Sequence, residues 1–116
     1  MDKGTKLYQD LIDELVKMSR ECVDANNVKK GSVPYADSGE INAVLQKLSD
    51  KDREIVSEFI LGVYSSAIFD VLDLLEWYTS CGKMKISIEG ETLPTDKFEG
   101  MQNDFIGRRD GWEWTE

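Results

Sequence analysis

The residues best placed to do chemistry are Asp70, Asp73 and Glu76, in the stretch AIFDVLDLLEWYTS. Residues three apart share one face of a helix, so carboxylates at this spacing form a column of oxygen ligands. Hard cations such as Mg²⁺ take carboxylate oxygens, and a second helix would supply the rest of the shell. Asp10, Asp13 and Glu14 are the acids a second helix offers. Such a cluster points to metal-assisted hydrolysis. The competing reading is structural: Asp70 and Asp73 form an exposed acidic seam or capture the Arg108 and Arg109 side chains.

Other reaction classes lack their parts. The chain has no histidine, so Ser65 and Ser66 have no imidazole base to activate them. Cys22 and Cys81 lack the same base as nucleophiles, and without a CxxC pair no ordinary zinc site can form. Acid–base work would fall to carboxylates alone. Asp70-Val71-Leu72 resembles the end of the Glu-x-x-Asp-Val-Leu stretch of MazG-type all-helical nucleotide pyrophosphatases. That resemblance implies a Mg²⁺-dependent pyrophosphohydrolase. Two departures count against it: Ala67 stands where the first glutamate belongs, and DLIDEL replaces the companion Glu-Glu-x-x-Glu segment. The structural reading of these acids is therefore preferred, with no catalytic residue and no cofactor. The Mg²⁺ hydrolase is the alternative.

The element that would position these acids runs from Ser49 to Ser80. Ser49 is an N-cap with Asp52 at capping-box distance, and Cys81-Gly82 supplies the stop. Apolar residues from Ile55 to Tyr78 cover more than half the circumference, which predicts a helix buried on most sides. Gly62 inside it suggests a close crossing or a gentle kink. A first helix is expected over Lys6–Ala25, with Leu7, Tyr8, Leu11, Ile12, Leu15, Val16, Cys22 and Val23 on its apolar face. Gly31, Ser32 and Pro34 place a loop over Val28–Asp37, pinned to the core by Tyr35. A short helix follows over Ser38–Leu48. After Gly82 the period changes: Met84, Ile86 and Ile88 alternate with Lys85 and Ser87, and Glu89-Gly90 turns the chain into a hairpin. Asp96 and Glu99 have the spacing to cap a last helix over Lys97–Arg108. The fold expected is mainly α, a three- to four-helix bundle around one long central helix with a small β-hairpin, as a single domain over 1–116.

A docking role is carried by aromatic residues. Trp112 and Trp114 alternate around Glu113, so both share a face, and tryptophan is common at interface hot spots. With Trp77, Arg108 and Arg109 they form the candidate partner-binding patch. The alternative is that the two C-terminal tryptophans fold back and seal the bundle.

The net charge of −9 opposes binding to nucleic acid through phosphate contacts, and opposes anionic membranes. It suits a basic protein partner. Residues 1–30 balance six acids with six bases, whereas residues 31–82 hold nine acids against three. No uninterrupted apolar run reaches the ~18 residues of a membrane span, and Met1-Asp2-Lys3 leads straight into a polar helix. A cytoplasmic protein is expected, with both cysteines as free, buried or half-buried thiols near helix ends.

Three pieces in this order, AIFDVLDLLE, EGETLP and RRDGWEW, resemble a family of small, acidic, uncharacterised bacterial proteins known only as a domain of unknown function. The resemblance spans most of the chain and implies no activity. The function expected is a non-enzymatic protein-binding module, one version being an immunity-type protein whose acidic face caps a basic toxin. Self-association as a homodimer is the other partner considered.

Overall fold

The computed structural model describes residues 1–115. The chain is mainly helical, as the sequence predicts. Its elements are α1 (Lys3–Ser19), α2 (Val23–Lys30), α3 (Gly39–Gln46), α4 (Asp50–Ser80), β1 (Ser87–Ile88), β2 (Glu91–Thr92) and α5 (Met101–Arg109). They gather into two compact units. One holds residues 19–66, and the other holds residues 1–18 with the chain from Ala67 onward. The long α4 gives its first half to one and its second half to the other.

The ends of α4 follow the sequence. The Ser49 hydroxyl accepts the Asp52 N–H at 3.1 Å, closing the first turn. At the far end Gly82 is left-handed, φ 71°, and the Lys83 N–H closes on the Tyr78 carbonyl at 3.0 Å. Between them the helix is unbroken, and among the described residues nothing lies within 4 Å of a Cβ placed on Gly62. Of the two readings of that glycine, a close crossing or a gentle kink, the crossing is not seen among those residues.

In the unit of residues 19–66 the core is Val28, Val33 and Leu45, with Leu48 and Ile60 packed against it. The predicted first helix does not reach this far in one piece. It ends at Ser19, and an extended Cys22 (φ −78°, ψ 114°) starts α2. The break shifts the helical phase. Val23, which a continuous helix would turn inward, is 66% exposed, while Ala25 and Val28 are buried. The Ala25 carbonyl accepts the Ser57 hydroxyl of α4 at 2.6 Å. Gly31, φ 93°, ends α2, and the N–H groups of Gly31 and Ser32 both reach the Asn27 carbonyl. The following loop is held by Asn42, whose amide accepts the Val33 N–H at 2.7 Å and donates to the Val33 carbonyl at 2.9 Å. Val33, not Tyr35, is therefore the residue that ties the loop to the core. Tyr35 stays exposed and donates to Asp24 at 2.9 Å. Arg53 reaches back from α4 to the Leu48 carbonyl at 2.7 Å, satisfying the end of α3.

In the other unit Tyr8, Ile12, Val16, Leu72, Leu93, Met101 and Phe105 make the core. The hairpin pairs Ser87 with Thr92 and Ile88 with Glu91. Glu89 (φ 52°) and Gly90 (φ 79°) supply the two positive-φ turn residues such a hairpin requires. Leu93 then drops into the core, its N–H on the Ile86 carbonyl at 2.8 Å. The last helix starts later than predicted, at Met101, because Gly100 takes φ 97° and ψ 153°.

One expectation is overturned. The long helix is not covered on most sides: of its residues only Ser57, Ser65 and Leu72 are buried. The reason is one of length. A 31-residue helix is about 46 Å long, whereas eight-residue helices such as α2 and α3 are about 12 Å. Each unit covers one side of its half and leaves the other open. By length and composition α4 also passes as a candidate membrane span, contrary to the expectation from uninterrupted runs, and 17% of that stretch is buried.

Candidate functional site

The open side of α4 is where apolar surface remains to be used. In the residue 19–66 unit, Ile55, Val56, Phe59 and Val63 recur at three- and four-residue spacing and are all exposed, Phe59 by 72%. In the other unit Val71, Leu74, Trp77 and Tyr78 continue the same period, with Val71 58% and Trp77 55% exposed. Gly62, Ser66, Ala67 and Asp70 are exposed on the same helix. The inward side is made by other positions, among them Ile60 in one unit and Ile68, Phe69, Leu72 and Leu75 in the other. Each half of α4 therefore has an inward apolar side and an outward one that stays exposed. The sequence pattern puts Ile55, Val56, Phe59, Val63, Val71, Leu74 and Tyr78 in the same buried arc as Ile60 and Leu72, and Trp77 in a docking patch. The width of that arc does not say which of its sides is left open.

The predicted metal ligands are dispersed by their partners. Asp73 accepts the Gln102 amide at 3.1 Å. Glu76 accepts the Met101 N–H at 3.0 Å and the Thr79 hydroxyl at 3.2 Å. Its place is the N-terminus of α5, where free N–H groups and the positive helix end favour a carboxylate. Asp10 pairs with Lys6 at 2.9 Å, and Asp13 pairs with Arg108. Among the described residues no three acidic or sulfur ligands converge. Arg108 and Arg109 are not captured by Asp70 and Asp73. Arg108 goes to Asp13, and Arg109 to Asp110 at 3.2 Å.

The C-terminal tryptophans come together with Arg108. Its Nε donates to Asp13 at 2.7 Å, its Nη1 donates to the Trp112 carbonyl at 2.6 Å, and its guanidinium lies 5.4 Å from the Trp114 ring centre. The Trp114 indole N–H donates to Asp13 at 3.2 Å. Phe98, Trp112 and Trp114 form an aromatic cluster with centroids 4.9–6.3 Å apart, and Trp114 meets Tyr8 edge-on. Both tryptophans are half-buried. Trp77 has different company: it meets Tyr78 edge-on at 5.3 Å, and Lys83 lies over its ring at 5.5 Å.

One buried acid leaves no mark in the sequence pattern. Asp104 is 1% exposed and accepts the Tyr8 hydroxyl at 2.5 Å and the Glu99 N–H at 3.0 Å. Burial pushes its carboxyl above the usual range, while the bonds from Tyr8 and Glu99 pull it back. Burial also pushes the Tyr8 hydroxyl up, so it stays a donor. Spacing gave no sign of this pair, since the partners are 96 residues apart. A cleft of about 500 Å³ lies in the residue 19–66 unit among Arg20, Glu21, Cys22, Asn26, Lys29 and Ser57, with charges of both signs. Cys22 is half-buried and Cys81 is exposed, so the second thiol departs from expectation.

The chain belongs to a family of unknown function, DUF6547, which it matches over residues 1–116. Neither the comparison with curated proteins nor that with solved structures gave a match.

Proposed function

We propose that this protein is a non-enzymatic protein-binding module and that it docks another protein chain on the outward side of α4. One observation carries the reading: in each unit four large apolar side chains of α4 are exposed. In each unit their uncovered surface amounts to roughly 450 Å², within the range of the largest, often functional, apolar patch on a monomer. The regular spacing suits a helix laid along the face, read at every third or fourth residue. The free thiols suit a reducing, cytoplasmic setting. An immunity-type role, capping a basic toxin, is the version that the net charge of −9 favours.

A photo-crosslinking amino acid at Phe59 or at Leu74, expressed in the native host, should join the protein to one defined partner identified by mass spectrometry. The same group at Glu113 should not. The adduct should disappear when Val71→Ser and Ile55→Ser are added, with the melting curve retained. Equal background at all three positions overturns the reading.

A further inference from the structure

Resting on that docking reading, we infer that the partner presents an amphipathic helix with a lysine or arginine set among its apolar residues, opposite Asp70. The outward stripe in the second half of α4 is not purely apolar. Asp70 lies one turn from Ala67 and from Leu74, and two turns from Trp77, all exposed on the same helix. Its neighbour Asp73 is occupied by Gln102, but no hydrogen bond or ion pair engages Asp70 among the described residues.

In the free protein Asp70 is hydrated at no cost. Under a docked apolar surface it loses that water, and an unpaired buried carboxylate is expensive. A partner that covers Leu74 and Trp77 must therefore supply a cation at this level. A second copy of the chain is poorly equipped to do so. On α4 the bases are Lys51 and Arg53, and Arg53 is spent on the Leu48 carbonyl and Asp50, so a second copy brings Lys51 alone against several acids. Lys83, just beyond the helix, already lies over Trp77. The other acids on the exposed side, Asp52, Glu58 and Asp73, would also meet their own kind in a self-pair. A basic helix satisfies Asp70, and its charge would select it over other apolar helices.

Three synthetic 20-residue helices test this. Each carries leucines along one face, alanine and glutamine elsewhere, and a central apolar-face position that is Arg, Leu or Glu. Titration calorimetry with the intact protein should show the Arg peptide binding at least about tenfold tighter than the other two. Asp70→Asn should bring the Arg peptide to the level of the Leu peptide and leave the Leu peptide unchanged. Leu74→Ser should weaken all three. Equal binding by the three peptides, still sensitive to Leu74→Ser, overturns the cation and leaves the docking face standing. No binding by any of them overturns both. A dimer in light scattering that Leu74→Ser dissociates gives the face to a second copy. Adsorption to phosphatidylcholine vesicles that Leu74→Ser abolishes gives it to a membrane. Either result overturns the proposal.

Discussion

Asp104 is the residue whose environment is most at odds with its charge. Its carboxylate is almost fully buried, and among the described residues the Tyr8 hydroxyl and the Glu99 N–H compensate for lost water. Glu76 and Glu99 add unfavourable negative charge. Because its pKa is raised, the native state holds a proton at pH values where the unfolded chain has released it. Stability therefore falls as pH rises from the ordinary carboxylate range through the native pKa of Asp104. Removing the Tyr8 hydroxyl takes away a donor that favours the ionised form. Tyr8→Phe should cost about 1–3 kcal/mol at pH 7. The loss should shrink towards pH 4, because the raised pKa lets the carboxyl take up its proton as pH falls. Urea unfolding at the two pH values measures this. An equal loss at both would mean that packing of the phenol, and not its bond to the carboxylate, is what matters.

The elements of this protein were legible where a local rule decides them. Ser49 caps α4, Gly82 ends it, and Glu89-Gly90 turns the hairpin, because each depends on a backbone conformation set by neighbouring residues. What was illegible depends on partners distant in sequence. No glycine or proline marks the break between α1 and α2; what shows for it is Ala25 and Val28 in a core that includes Leu45. Glu76 reads as a metal ligand by spacing, yet it caps a helix that begins 25 residues later. The exposed stripe of α4 was visible as hydrophobicity but not as exposure, since periodicity does not count how many neighbours exist to cover a face. Two glycines separate these cases experimentally. Gly100 has a backbone that other residues avoid, and a Cβ there would lie 3.0 Å from the Glu76 Oε1. Gly100→Ala should cost about 1–3 kcal/mol in denaturant unfolding. Gly62 is helical and open, so Gly62→Ala should stabilise by about 0.5–1 kcal/mol. A loss at Gly62 would reveal a crowding that the fold does not show.

Charge is distributed unevenly over the whole chain, and not as the sequence order suggests. The unit of residues 19–66 has eight acids against six bases, whereas the unit built from the two ends has fifteen against eight. The excess acid thus sits in the unit that carries Asp70. Its ion pairs do little to offset this, because Lys3–Glu89 and Lys97–Asp2 are solvated surface pairs. Arg108–Asp13 is better made, yet it too is partly open to water. Self-repulsion should therefore exceed the pairing that salt would weaken. Screening lengths shrink from about 30 Å at 10 mM to about 8 Å at physiological ionic strength. The melting temperature should accordingly rise by a few degrees between 10 and 300 mM NaCl. Replacing the exposed Glu91 and Glu113 by lysine should raise the low-salt value and reduce the response to salt. A melting temperature that falls with salt would instead make Arg108–Asp13 and its neighbours the dominant electrostatic term. Binding to a basic helix should respond in the opposite sense and weaken as salt rises. The same titration of salt thus stabilises the free protein while loosening the complex, a divergence that an apolar contact without charge would not produce.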